Sequence, residues 1–272
     1  MSAALTLTAK HTVSVEIGGA TIALHTVDPS FQRAIENRYA GFLGSSADSH
    51  FVFDIDLCDP SESGPADDEL HLQMEKGEWL LQRGNFRARW NPESRRGWIH
   101  QTYSSYAVDC VLRIVHTLLL ASQGGFLVHA ASAIRGGKAF LFAGVSGAGK
   151  TTISRLAPPD ATLLTDEISY VRREGNQYLA CGTPFAGELG RAGENVSAPL
   201  CGVFLLEKGL QNRVEPVGAA EAIQRLLRNI LFFAEDPELV QLVFQSACEF
   251  ASLVPIRRLV FVPDPAVWEI IR

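Results

Sequence analysis

The sequence predicts an α/β protein in which a β-rich amino-terminal region, residues 1–102, precedes an α/β domain, residues 103–272. Three observations lead there. The first hundred residues are short apolar runs cut by turn residues. A helical period takes over near Tyr103. Beyond it, apolar strand-like runs alternate with helical segments around one glycine-rich loop.

In the amino-terminal region, Thr12–Ile17 and Thr21–Thr26 flank Gly18-Gly19, the composition of a hairpin turn. Asp28-Pro29-Ser30 opens a short helix reaching about Tyr39, with aspartate as cap and proline in the first turn. Phe51–Leu57 alternates as a strand, and Cys58–Asp68, rich in Pro, Ser, Gly and acid, reads as a loop. The runs Leu70–Glu75, Trp79–Gln82, Phe86–Trp90 and Trp98–Thr102 are separated by Lys76-Gly77, Gly84-Asn85 and Asn91–Arg96. This is the punctuation of an antiparallel meander.

In the second region, Val108, Val111, Leu112, Val115, Leu118 and Leu119 share one helix face, and Gly124-Gly125 ends it. Strands are expected at Gly125–Ile134, Lys138–Ala143, Ala161–Thr165, Glu167–Arg172, Val203–Leu206 and Arg258–Val262. Helices are expected at Ala219–Phe233 and Pro237–Leu253, with a short one starting at Pro265.

Composition narrows the function classes. A hydrophobic fraction of 47% and a charged fraction of 20% are those of a folded chain rather than a disordered one. The net charge of −6 argues against nucleic acid or an anionic membrane as partner. The five cysteines, Cys58, Cys110, Cys181, Cys201 and Cys248, form no CxxC pair and read as reduced thiols. The amino terminus lacks the basic-then-apolar order of a signal peptide. Val111–Ala121, interrupted by Arg113 and His116, is too short to span a bilayer. A cytoplasmic location is the default expectation.

The loop Gly144-Val145-Ser146-Gly147-Ala148-Gly149-Lys150-Thr151 matches G-x-x-x-x-G-K-[ST] in full. The apolar run Ala139–Ala143 enters it as a strand, and Thr151–Leu156 can leave it as a helix. Glycines let backbone amides turn inward around phosphates, and the helix start adds positive potential. Residues Gly144 to Thr152 are therefore expected to hold a nucleoside triphosphate, ATP, with magnesium. Lys150 would reach the β- and γ-phosphates and the Thr151 hydroxyl would ligate the metal. Asp166-Glu167 at the end of an apolar strand offers carboxylates for metal and for an acceptor proton. His129 lies in the strand just upstream of the loop.

Histidine, then this loop, then paired acids resembles the catalytic domain of the bacterial HPr kinase/phosphorylase family. That family has a His-Gly dipeptide, a GxSGxGKS loop and an Asp-Asp pair in the same order. Here His129-Ala130, the 144–151 loop and Asp166-Glu167 correspond, and Lys150 lies 21 positions after His129. The resemblance covers about residues 125–210. It implies a P-loop domain of the HPr-kinase/PEP-carboxykinase-like fold. It also implies an ATP-dependent kinase acting on a serine or threonine hydroxyl of a protein or peptide. Asp166 would be the general base, His129 would contact and orient it, and Lys150 would neutralise phosphate charge. Thr151, Glu167 and Glu188 would serve magnesium.

The chain also departs from the family. The second acid is glutamate, and the family's motifs after its metal-binding glutamate have no counterpart beyond Leu189-Gly190-Arg191. Reverse phosphorolysis is therefore not expected. The β-rich region is unlike the long enzymes' regulatory domain and closer to divergent HPr-kinase-like proteins encoded with peptide-modifying genes. Arg191, Lys208 and Arg213 read first as surface cations, with stabilisation of transferred charge as the alternative. A non-catalytic ATP-binding regulatory module and a small-molecule kinase are the alternative readings. The carboxykinases' additional metal-binding motifs are absent, as is a guanine-recognition Asn-Lys-x-Asp. The apolar stretches Leu226–Phe233 and Val240–Phe244 read as core, or as the surface of a homo-oligomer.

Overall fold

The computed structural model describes residues 10–59 and 69–271. It is a mixed α/β chain with two sheets. Most of the expected loop Cys58–Asp68, and the extreme amino terminus, lie outside the described residues. Contacts divide the chain into two units, residues 1–113 and 114–272.

The first unit is built on a seven-stranded sheet. β1 (His11–Ile17) and β2 (Ala20–Thr26) form the expected hairpin, with Gly18 and Gly19 at φ 60 and 84°, a region open to glycine. α1 (Pro29–Arg38) follows, and the Asp28 carboxylate accepts from the Ser30 and Phe31 amides. β3 (Phe51–Leu57) pairs in parallel with β2. The meander is β4 (His71–Glu75), β5 (Glu78–Arg83), β6 (Phe86–Asn91) and β7 (Arg96–Gln101). Its last strand returns to lie parallel beside β3, giving the order β1-β2-β3-β7-β6-β5-β4. Alternating burial along β6 places Phe86, Ala88 and Trp90 on the core face. α2 (Ser105–Gln123) comes next, and the division between the units falls within it.

α2 is long and apolar enough, by length and composition, to cross a bilayer, although 61% of its apolar window is buried in the fold. That burial is what a core helix requires.

The second unit carries a nine-stranded sheet. Its strands are β8 (Phe126–Arg135), β9 (Lys138–Ala143), β10 (Ala161–Thr165), β11 (Ile168–Glu174), β12 (Gln177–Cys181), β13 (Ser197–Lys208), β14 (Arg213–Pro216), β15 (Ile230–Leu231) and β16 (Ile256–Phe261). The helices are α3 (Lys150–Arg155), α4 (Ala219–Leu227) and α5 (Pro237–Leu253), and Pro265–Glu269 forms a closing 3-10 turn. β13 runs parallel to both β9 and β16, whereas β8, β10, β11 and β12 pair antiparallel. Strict strand–helix alternation therefore does not hold: β10 to β13 follow one another without a helix.

β12 and β14 were not among the expected strands, although Gly175-Asn176 is a fair hairpin signal before β12. The expected helix Ala219–Phe233 ends early, at Leu227. The Asn229 side-chain amide donates to the Arg225 carbonyl, and the chain turns so that Ile230-Leu231 can pair with β8. β-branched and aromatic residues after Leu227 favour that extended state.

The sheet is buried on both faces. In β9, Ala139, Leu141 and Ala143 join the core shared with Ala247 and Phe250 of α5. Phe140 and Phe142 face the opposite core, with Ile153 of α3 and Trp268. This explains why the strand reads as a continuous apolar run.

Candidate functional site

β9 delivers the chain at Ala143 into the loop 144–149, and α3 leaves it at Lys150. Gly147 and Gly149 adopt φ 75 and 113°, conformations that side chains disfavour. A Cβ at Gly149 would also stand 2.6 Å from Cζ of Phe261, the last residue of β16, so this aromatic ring backs the loop. Ala148 packs into the core beneath, while Val145, Ser146 and Gly147 are exposed and nothing would meet a Cβ at Gly147. The Lys150 amine donates to the Gly144 carbonyl at 3.0 Å, so the lysine folds across its own loop. Thr151 and Thr152 begin α3 half-buried.

Sheet register brings the upstream histidine to this point. Ala130 of β8 faces Ala143 of β9, and His129 faces Ile168 of β11. The His129 amide donates to the Asn229 carbonyl, so the turn after α4 anchors the residue. Between β10 and β11, the Thr165 hydroxyl accepts from the Glu167 and Ile168 amides and sharpens the turn carrying the two acids.

The acids then part. Asp166 is 1% exposed, and its two oxygens accept from the Gly187 and Leu189 amides, each at 2.9 Å. Glu167 has a different partner, with Oε1 3.3 Å from His129 Nε2. The expectation that His129 contacts Asp166 is therefore corrected: the histidine meets the second acid. The buried backbone of the 187–189 loop takes the first carboxylate.

That loop carries Glu188. Gly187 lies against both acids, and a Cβ there would come within 2.8 Å of Glu167 Oε2 and 2.9 Å of Asp166 Oδ2. Bracketed by two amides bound to Asp166, Glu188 is exposed yet close enough to act electrostatically on Lys150, as Glu167 does. Burial lowers the Lys150 pKa, and these two carboxylates oppose that shift. Burial also lowers the His129 pKa, aided by the Lys150 charge and opposed by Glu167. Its imidazole is accordingly held toward the neutral form.

A family model described as SynChlorMet cassette protein ScmC matches residues 101–271, well over half of the chain. The chain belongs to the ScmC family.

No curated protein matches it. A solved structure, the Hpr(Ser) kinase/phosphatase from Coxiella burnetii, is similar at 13% identity and a TM-score of 0.26, covering 44% of this chain and 87% of that one. The ScmC match spans the glycine loop, His129, the paired acids and the 187–189 loop together.

In this ScmC-family chain, no cluster of three or more His, Cys, Asp or Glu side chains among the described residues is arranged to hold a metal. Thr151, Glu167 and Glu188 thus form no all-protein cage. Magnesium in phosphoryl sites takes most of its ligands from phosphate and water, so one or two protein oxygens at the loop are what such an ion needs. The residues missed in sequence are Gly187, Leu189 and Phe261. Two act through backbone amides, which residue identity does not advertise. Gly187, beside the candidate Glu188, was the one available signal.

Proposed function

We propose that the chain is an ATP-dependent phosphotransferase that phosphorylates a serine or threonine hydroxyl on a protein or peptide acceptor. The observation that carries this reading is the convergence of Lys150, His129, Glu167 and Glu188 on one glycine loop, with His129 and Glu167 3.3 Å apart. The loop fits a triphosphate: positive-φ glycines, an open face at Gly147 and an amine already within the turn.

Residues 144–152 would hold the phosphates through backbone amides and Lys150, and Thr151 with Glu188 would serve magnesium. Bound ATP supplies the phosphoryl group, whose bond to the acceptor oxygen forms as its bond to the β-phosphate breaks and ADP leaves. Glu167 takes the base role that the family resemblance gives to Asp166, because both Asp166 oxygens already accept backbone amides. It accepts the hydroxyl proton, and the neutral His129 imidazole beside it can take that proton onward. Asp166 is a positioning residue that holds the Glu188 loop against the cradle.

The engagement of Asp166 also favours a second reading, an ATP-binding regulatory module without transfer. One experiment separates the two. Purified protein is incubated with γ-labelled ATP, magnesium and a library of serine- and threonine-containing peptides. Label on peptide hydroxyls, lost in Lys150→Ala, supports the kinase. Nucleotide binding with no transfer to any peptide and no ADP production leaves only the receptor.

A further inference from the structure

A cavity of about 510 Å³ opens beside the site, between the carboxy-terminal end of α3 and the chain after Glu188. One wall is Ser154, Arg155 and Ala157; the facing wall includes Leu189, Arg191 and Glu194. Both walls continue the segments that form the phosphate end. Arg155 is five residues past Lys150, or about 7.5 Å along a helix axis. Arg191 is three residues past Glu188.

In this unit Arg135, Arg172, Arg173, Arg213, Arg225 and Arg258 each pair with a carboxylate. Among the described residues of this unit, Arg155, Arg191, Arg228 and Arg257 are exposed and pair with no carboxylate, and of these Arg155 and Arg191 line the cavity. Two guanidiniums lining one cavity favour an anion, and their fork matches a carboxylate or a phosphate. Glu194 in the same wall disfavours a polyanion such as a nucleotide. The apolar surface of Leu163, Leu189 and Pro158 calls for a ligand that is mostly uncharged.

We propose that this cavity docks the acceptor as a short peptide segment bearing one acidic side chain near its hydroxyl. The inference rests on the phosphotransferase reading for its purpose but not for its test. Arg155 and Arg191 hold the acidic side chain, and the neighbouring apolar wall takes the residue next to it.

The test is direct binding, by fluorescence anisotropy, of labelled nonapeptides with a central serine and one aspartate, one lysine or neither. The wild-type chain should bind the aspartate peptide about tenfold more tightly than the lysine peptide. Arg155→Glu/Arg191→Glu should abolish or reverse that preference. Its thermal midpoint and its affinity for a fluorescent ATP analogue should stay unchanged, since both side chains are exposed. Absence of the preference in wild type, or its survival in the double variant, overturns the proposal. So does loss of nucleotide affinity in the double variant, which would assign the cavity to the nucleotide. Lys150→Ala keeps the readings apart: transfer of γ-label that survives that change defeats the phosphotransferase reading, while the peptide preference is scored independently by binding.

Discussion

The imidazole of His129 lies 3.3 Å from the Glu167 carboxylate, while the neighbouring Asp166 is tied into the backbone of another loop. Adjacent acids at one strand end therefore have different partners, and their substitution should have different consequences.

Glu167→Gln keeps the shape of the side chain but removes its basicity. Phosphoryl transfer should fall by about a hundredfold or more while nucleotide affinity stays near wild type. Single-turnover transfer alongside ATP titration checks this. Transfer at the wild-type rate in Glu167→Gln would return the base role to another group.

Asp166→Asn should act first on stability. An asparagine presents one oxygen and one NH2 where two backbone amides both donate, so one donor is left facing another. A buried donor without an acceptor costs about 1–3 kcal/mol. Denaturant titration should show that loss, accompanied by weaker transfer as the 187–189 loop loosens. Unchanged stability with lost transfer would instead restore Asp166 to the chemistry.

Gly187→Ala introduces a methyl group into a space bounded by Glu167 Oε2 at 2.8 Å and Asp166 Oδ2 at 2.9 Å. The loop must move away from both acids. Transfer should drop by about tenfold to a hundredfold, in line with a misplacement near 1 Å, with ATP binding retained. A kcat equal to wild type would mean that Glu188 and its loop take no part.

The lowered pKa of His129 gives a pH signature with a definite sign. The unfolded chain takes up this proton near the ordinary value of 6.5, while the folded chain does so only at lower pH. The unfolded state therefore binds more protons across that interval, and stability falls as pH drops through it. His129→Asn should flatten this part of the profile, measured by denaturant unfolding between pH 7 and 5. An equally steep acid loss in the variant would place its origin in other groups.

Much of the fold was legible because its signals are local. Asp28 caps its helix with a side chain that sequence alone identifies, and the amides it accepts from lie within three residues. Gly18-Gly19 and Gly124 take the positive φ that their positions demand. The helix ending at Leu227 was misjudged because the competing partner of Ile230-Leu231 is β8, about a hundred residues upstream. No window along the chain contains both.

The candidate site divides along the same line. Sequence by itself determined the glycine loop, its lysine and hydroxyls, and the presence of histidine and paired acids, since each is a matter of residue type and short spacing. Tertiary structure alone decided which acid meets His129, which is consumed by the 187–189 amides, and that Phe261 backs Gly149. Those outcomes depend on sheet register and on backbone donors brought from distant segments. A backbone amide carries the same chemistry at almost every position, so the sequence cannot say which carboxylate it will find.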